Sequence, residues 1–320
     1  MISPLTLSLS KGEPMVRQAH HERHAILRGL NNLVLGGTEA GLPSPRFERS
    51  HMKNKIYDSF DKAIEDIFDG AIIAHSIFGT ASQALNLWEA LYKKDLKDLT
   101  IVGNFTHPRQ PTPQGTHLPT HGPINCILQP GKVKRLVTGF SSNVYSRMIG
   151  FAEEFEEATK NMEVIPVPFG NLCTRLEAAA SGYGGILTPV GVGTYLEDYL
   201  EKITVDGKEY LLEKPLQPDF GFVKAWKADK LGNLVYKEMM RTENPLVARA
   251  SKVTIAEVLE IVEPGELDPD EIHTPFLYVD RIVKVPKGGA GSFEWNEVVK
   301  TLGFGPGGTR RRAMEEARGQ

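Results

Sequence analysis

Between residues 54 and 286, short apolar runs alternate with longer stretches whose apolar positions recur at helical spacing. Ile72-Ile73-Ala74 and Leu99-Thr100-Ile101-Val102 are continuous enough for strands buried on both faces, and between them Ala84, Leu85, Leu87, Trp88, Ala90 and Leu91 share one helical face. This succession predicts a βαβ unit. Leu136-Val137 and Val164-Ile165-Pro166-Val167 read as further strands, with an acidic-faced helix over 151–161 between them and a helix over 172–180 that Gly182 can end. Strands alternating with helices predict an α/β fold, an open, mainly parallel sheet flanked by helices.

Residues 219–236 depart from the pattern of a buried strand. Phe220, Phe222 and Val223 start an apolar run that Lys224 and Lys227 interrupt on either side of Trp226. Asp229-Lys230-Leu231-Gly232-Asn233 then turns the chain and Leu234-Val235-Tyr236 resumes it, a hairpin-like connection in which Gly supplies the φ > 0 position. Lysines inside a strand require partners. Two readings stay open for Lys224, Trp226 and Lys227: contact with a ligand or partner chain, or a structural Trp with Lys stems packed beside it.

A chain of 320 residues with 41% hydrophobic content is long enough for a full core, and its formal charge of −3 gives no reason to expect nucleic acid. Cys126 and Cys173 are too few for a disulfide framework and lack metal-ligand spacing, so they read as reduced thiols of a cytoplasmic protein. No apolar stretch approaches the roughly 20 residues of a membrane span. His117 and His121 are four apart, but Pro119 between them argues against a helix that would align them on a metal. Residues 1–51 lack periodicity and read as a disordered extension or a mis-assigned start ahead of Met52; 52–286 form the folded domain, and 287–320, Gly-rich and then basic, read as a peripheral tail.

Several collinear strings carry a family resemblance. They are Asp69-Gly70-Ala71-Ile72-Ile73, Lys97 to Val102, Gly131 to Val137, Gly184 to Thr194, Asp206 to Pro215, the 219–236 segment, and Ile261 to Pro275. Together they resemble the α subunit of family I CoA-transferases, of the 3-oxoacid and acetate CoA-transferase type. The resemblance implies the CoA-transferase (NagB/RpiA-like) fold and transfer of CoA between an acyl-CoA and a carboxylic acid. It also implies a covalent route in which a glutamate carboxylate attacks the thioester, in a site that excludes water.

That glutamate's signature, Ser-Glu-Asn-Gly, is missing here, so the resemblance implies a partner β subunit, an α2β2 assembly, and no catalytic residue on this chain. Glu243 lies where the family has a surface-like Arg-Asn-Phe-Asn segment and reads as a residue at a helix start. By resemblance, the turn after the first strand binds the CoA thioester, which places Ser76, Ile77, Phe78, Gly79, Thr80, Ala81 and Ser82 there, with Asn104 from the next loop. An ordinary strand-to-helix turn is the competing reading. Phe105 and Phe169 replace side chains that hydrogen-bond in the family, so both are expected in the substrate pocket, with a larger or more apolar acyl group; Phe169 packed into the core is the alternative. The Gly184-Gly185 and Gly191-Val192-Gly193 runs do not match a dinucleotide fingerprint and by resemblance form a tight inner loop near the subunit interface. No metal or permanent cofactor is expected, CoA being a substrate. Acyl-CoA hydrolysis and non-catalytic ligand binding are the alternative functions.

Overall fold

The chain separates into Met1–Met52 and Lys53–Gln320, and the computed structural model describes residues 54–76, 82–103, 123–127, 129–139 and 157–289, all in the second unit. The expectations for 1–51 and for His117 and His121 lie outside these residues, as does most of the 287–320 tail. Strand β1 (Ile56–Tyr57) leads into helix α1 (Phe60–Ala63), capped where Ser59 Oγ accepts from Lys62 N. Next come β2 (Ile72–His75), α2 (Leu85–Lys93), β3 (Leu99–Val102), α3 (Pro123–Ile127), β4 (Val133–Thr138) and β5 (Glu163–Pro166). Helix α4 (Phe169–Ser181) starts three residues before the expected 172 and ends at Gly182, whose φ of 70° is the left-handed cap that the sequence pointed to. Of the helix expected over 151–161, only 157–161 are described, and 157–159 are helical.

A small sheet follows, made of β6 (Ile186–Thr188), β7 (Lys202–Val205) and β8 (Lys208–Glu213) in the order β6-β8-β7, all antiparallel. Asp206 and Gly207, at φ 51° and 77°, form the two-residue turn between β7 and β8, which demands positive φ at both positions. The main sheet resumes with β9 (Phe220–Asp229) and β10 (Leu234–Val235), then α5 (Asn244–Ala250), β11 (Val253–Val262) and β12 (Arg281–Lys284).

Strand order in the main sheet is β1-β12-β11-β9-β2-β3-β4-β5. Every neighbouring pair along that path is parallel, and only β10 folds back antiparallel on β9. Asp229 shapes the hairpin, its Oδ1 accepting from the amides of Leu231, Gly232 and Asn233 at 2.9–3.0 Å while Gly232 takes a φ of 112°.

Because side chains alternate across a strand, the sheet buries two cores. Ile73, Ile101, Leu136, Phe220, Phe222 and Ile255 face α1, α2 and α3 with Ile64, Trp88 and Leu91. Ala74, Val102, Val137, Val223, Ala225 and Ala256 face α4 and α5 with Leu172, Leu176 and Val247. The result is the three-layer α/β architecture expected.

Candidate functional site

The strands run outward in two directions from β2, with β3, β4 and β5 on one side and β9, β11 and β12 on the other. The connection that leaves β2 through α2 and the one that leaves its neighbour β9 through α5 lie on opposite faces, and in open parallel sheets the crevice beyond the carboxyl ends at such a switch point is where ligands bind. The residue at that position is Ser76.

Ser76 and Ser82 flank the strand-to-helix turn and both are fully buried. Ser76 Oγ lies 2.8 Å from Ser82 Oγ, 3.1 Å from Glu243 Oε2 and 3.4 Å from Thr242 Oγ1. Ser76 has one hydroxyl proton, and among these groups the carboxylate is the acceptor that forms the strongest bond with it. Glu243 sits at the start of α5, as the sequence indicated, and it is buried there, 7% exposed, beside a wholly buried Asn244. Asn244 joins three elements. Its Nδ2 donates to Ser82 O and Met240 O at 3.0 Å, and its Oδ1 accepts from Lys224 N of β9 at 2.9 Å.

Cys173 and Phe169 are four apart on α4 and share a face. Burial, and secondarily the Glu243 carboxylate, push the Cys173 thiol up to about 11. Phe169 is 38% exposed just past the end of β5, which rules out the core packing left open for it. A cavity of about 400 Å³ lies alongside, lined by Pro166, Val167, Pro168, Arg175, Tyr195 and Tyr199.

His75, the last residue of β2, was not singled out from sequence. It is wholly buried, packs edge-on against Trp88 with ring centroids 5.1 Å apart, and among the described residues has no hydrogen-bond partner at either ring nitrogen. Burial drives its pKa down to about 4, so it is neutral at physiological pH. Gly103 at the end of β3 makes room for it: a Cβ there, at φ 148°, would fall 2.5 Å from His75 Nε2. A strand ending in His beside one ending in Gly was the available signal.

The charged interruptions of β9 have their partners on β11, directly opposite in the parallel register. Lys224 pairs with Glu257, Lys227 with Glu260 at 3.2 Å, and Lys230 with Glu263 just beyond the strands. Trp226 lies between the ammonium groups of Lys227 and Lys237, 4.7 and 5.0 Å from its ring centroid. The structural reading of these residues holds.

Of the residues expected around the acyl-CoA, Ser76 and Ser82 are brought together, and Phe169 stands exposed at the first turn of α4. Ile77, Phe78, Gly79, Thr80, Ala81, Asn104 and Phe105 lie outside the described residues. Gly191 and Gly193 adopt φ 97° and 77° in the loop after β6, where Gly191 packs closely on Leu196. Among the described residues no helix is long and apolar enough to cross a membrane.

The profile of the Coenzyme A transferase family matches residues 57–285. The A subunit of a 3-oxoadipate CoA-transferase from Pseudomonas putida is 37% identical over 243 residues, covering 75% of this chain and 98% of the relative. The A subunit of a succinyl-CoA:3-ketoacid coenzyme A transferase from Helicobacter pylori is 36% identical over 236 residues, covering 73% of this chain and 94% of the relative. An acyl-CoA transferase apoenzyme from Escherichia coli O157:H7 has a similar structure, with a TM-score of 0.62 at 21% identity, over 76% of this chain and 49% of that one. That likeness concerns the fold.

Proposed function

This chain belongs to the coenzyme A transferase family, and from that premise we propose that it is the α subunit of a two-subunit enzyme that moves CoA between an acyl-CoA and a carboxylic acid. The observation that carries this reading is the match over nearly the whole length of relatives named as A subunits. The chain has no Ser-Glu-Asn-Gly segment, so the nucleophilic glutamate is assigned to a β subunit, in an α2β2 assembly located in the cytoplasm.

In the proposed reaction the partner's carboxylate attacks the thioester carbonyl and CoA leaves as the thiolate, giving an acyl-glutamyl anhydride. The thiolate then attacks the glutamyl carbonyl, releasing the first acid and leaving a glutamyl-CoA thioester. An incoming acid takes the activated position by the reverse sequence, so CoA is conserved throughout. This chain contributes the crevice wall at the end of β2. Its turn after Ser76 is assigned to the thioester, where backbone amides stabilise charge developing on the carbonyl oxygen, and Phe169 to the acyl group. No permanent cofactor enters the scheme.

The test is to purify the chain alone and together with a partner carrying Ser-Glu-Asn-Gly, and to assay CoA transfer from several acyl-CoA donors to several acids. Transfer only in the complex is expected. Robust turnover by the isolated chain would overturn the assignment.

A further inference from the structure

Among the described strands β5 ends the main sheet, paired with β4 alone. Its residues line the cavity of about 400 Å³ together with α4, the end of β8 and the turn Tyr195–Asp198. The walls are apolar, with Val164, Pro166, Leu196 and Leu200, and the exposed Tyr195 and Tyr199 form the rim. Leu196 is held in place, since Gly191 packs closely on it and Thr194 Oγ1 accepts from its amide. Arg175 is the one cation of the lining. Only 20% of its side chain is exposed; Nε donates to Lys214 O at 3.0 Å and lies 3.7 Å from Glu213 Oε2, while its two terminal amino groups have no partner among the described residues. The two carboxylates of the lining are already engaged, Glu163 accepting from Arg135 at 2.7 Å and Glu213 from Asn171 at 2.9 Å.

We infer that this cavity binds a free carboxylic acid with an apolar chain, its carboxylate held by the terminal amino groups of Arg175. The guanidinium is short of counter-charge: burial outweighs the Glu213 carboxylate and lowers the pKa of Arg175, although the group stays protonated. A ligand carboxylate supplies what burial has removed, in the planar two-donor geometry that a guanidinium matches. The volume lies at the small end of ligand pockets, and the apolar walls gain from an alkyl chain while offering nothing to a second charge. β5 stands three strand positions from β2, roughly 14 Å at about 4.8 Å per strand, so this is a second site, separate from the crevice at Ser76. The inference goes beyond the transferase reading, and binding here needs neither a partner nor turnover.

The experiment titrates octanoate, octanol and octylamine into the full chain by calorimetry, for the parent, Arg175→Gln and Tyr199→Ala. Octanoate is expected to bind tighter than octanol by about tenfold or more, because charge-assisted hydrogen bonds separate the two, and octylamine should bind weakest. In Arg175→Gln the affinity for octanoate should fall to that for octanol. Tyr199→Ala, which removes an exposed ring, should weaken octanoate and octanol by the same factor. Octylamine binding as tightly as octanoate would overturn the inference, as would absence of octanoate binding at millimolar concentration. An unchanged octanoate affinity in folded Arg175→Gln would also overturn it, and would place the acid elsewhere, in the crevice at β2. If Arg175→Gln fails to fold, the ranking of the three probes by the parent and the Tyr199→Ala variant decide: preference for octanoate, and its weakening by Tyr199→Ala, are expected, and loss of either is fatal. No reading here uses CoA transfer, so failure of the transferase reading leaves the result intact.

Discussion

Lys224 and Glu257 face each other across β9 and β11 with Nζ and Oε1 3.5 Å apart, both withdrawn from solvent. Burial lowers the pKa of Lys224 and raises that of Glu257, and each is countered by the other's charge. Glu257 has a second task. Helix α2 has Ala84 at its N-cap and no side-chain cap of its own, and Glu257 Oε2 accepts from the amides of Asn86 at 2.8 Å and Leu87 at 3.3 Å while Oε1 accepts from Asn86 Nδ2 at 2.9 Å. A strand thus caps a helix remote from it in sequence, and the negative charge suits the helix N-terminus.

Glu257→Ala should be among the most damaging substitutions in the fold. It removes the counter-charge of Lys224 and the acceptor of the first amides of α2 together, a loss of about 3–5 kcal/mol. Lys224→Met should cost less, because Glu257 keeps its bonds to Asn86 and Leu87. Chemical denaturation of the two variants checks the order, and equal losses would mean that the capping role is empty.

The hydrophobic periodicity made the layered core legible. β2, β3, β4 and α4 appear where apolar runs and helical spacing put them, and the Asp229-to-Asn233 turn was readable because its geometry depends on a local Asp and Gly. What escaped was set by distant partners. Nothing near Glu243 in sequence reveals that Ser76 lies 3.1 Å from it, so a residue read correctly as a helix start gave no sign of its burial. Lys224 declared that it needed a counter-charge but not which one. The small sheet was missed although Asp206-Gly207 is a strong hairpin signal, because its strands are short and largely exposed and offer little alternation.

His75 should make the protein acid-sensitive. Its folded pKa of about 4 lies below the ordinary value of 6.5, so the unfolded chain binds a proton that the native chain refuses. Stability from this group is complete above about pH 6.5 and is lost as pH falls toward 4, by roughly 3 kcal/mol in all. His75→Phe should flatten the part of the melting-temperature profile between pH 6.5 and 4; an unchanged slope would remove His75 from the account.

Gly221→Ala should lift α5 off the sheet. A Cβ there would meet Ser251 Oγ at 2.4 Å and Val247 Cγ1 at 3.1 Å, an overpacking that costs about 1–3 kcal/mol. Since α5 carries Glu243 and Asn244, transfer activity should fall with stability. Adding Ser251→Gly should recover both, whereas recovery of stability alone would separate the helix from the site.

Phe169 sets the last prediction. A core aromatic replaced by a polar residue costs several kcal/mol, but this ring is 38% exposed at the first turn of α4, so Phe169→Gln should leave the melting temperature nearly unchanged. Its effect belongs to selectivity. If the ring covers part of the acyl group, burial at about 25 cal/mol per Å² gives on the order of 1–2 kcal/mol in favour of apolar acyl chains, or about tenfold in relative kcat/KM. Replacing it with an amide removes that preference and supplies a donor and an acceptor to a carboxylate-bearing acyl group. The ratio of kcat/KM for butyryl-CoA over succinyl-CoA, measured on the complex, should therefore fall by about tenfold. An unchanged ratio in a variant of unchanged stability would place Phe169 away from the acyl group, and the apolar-substrate preference would then have to rest on other residues.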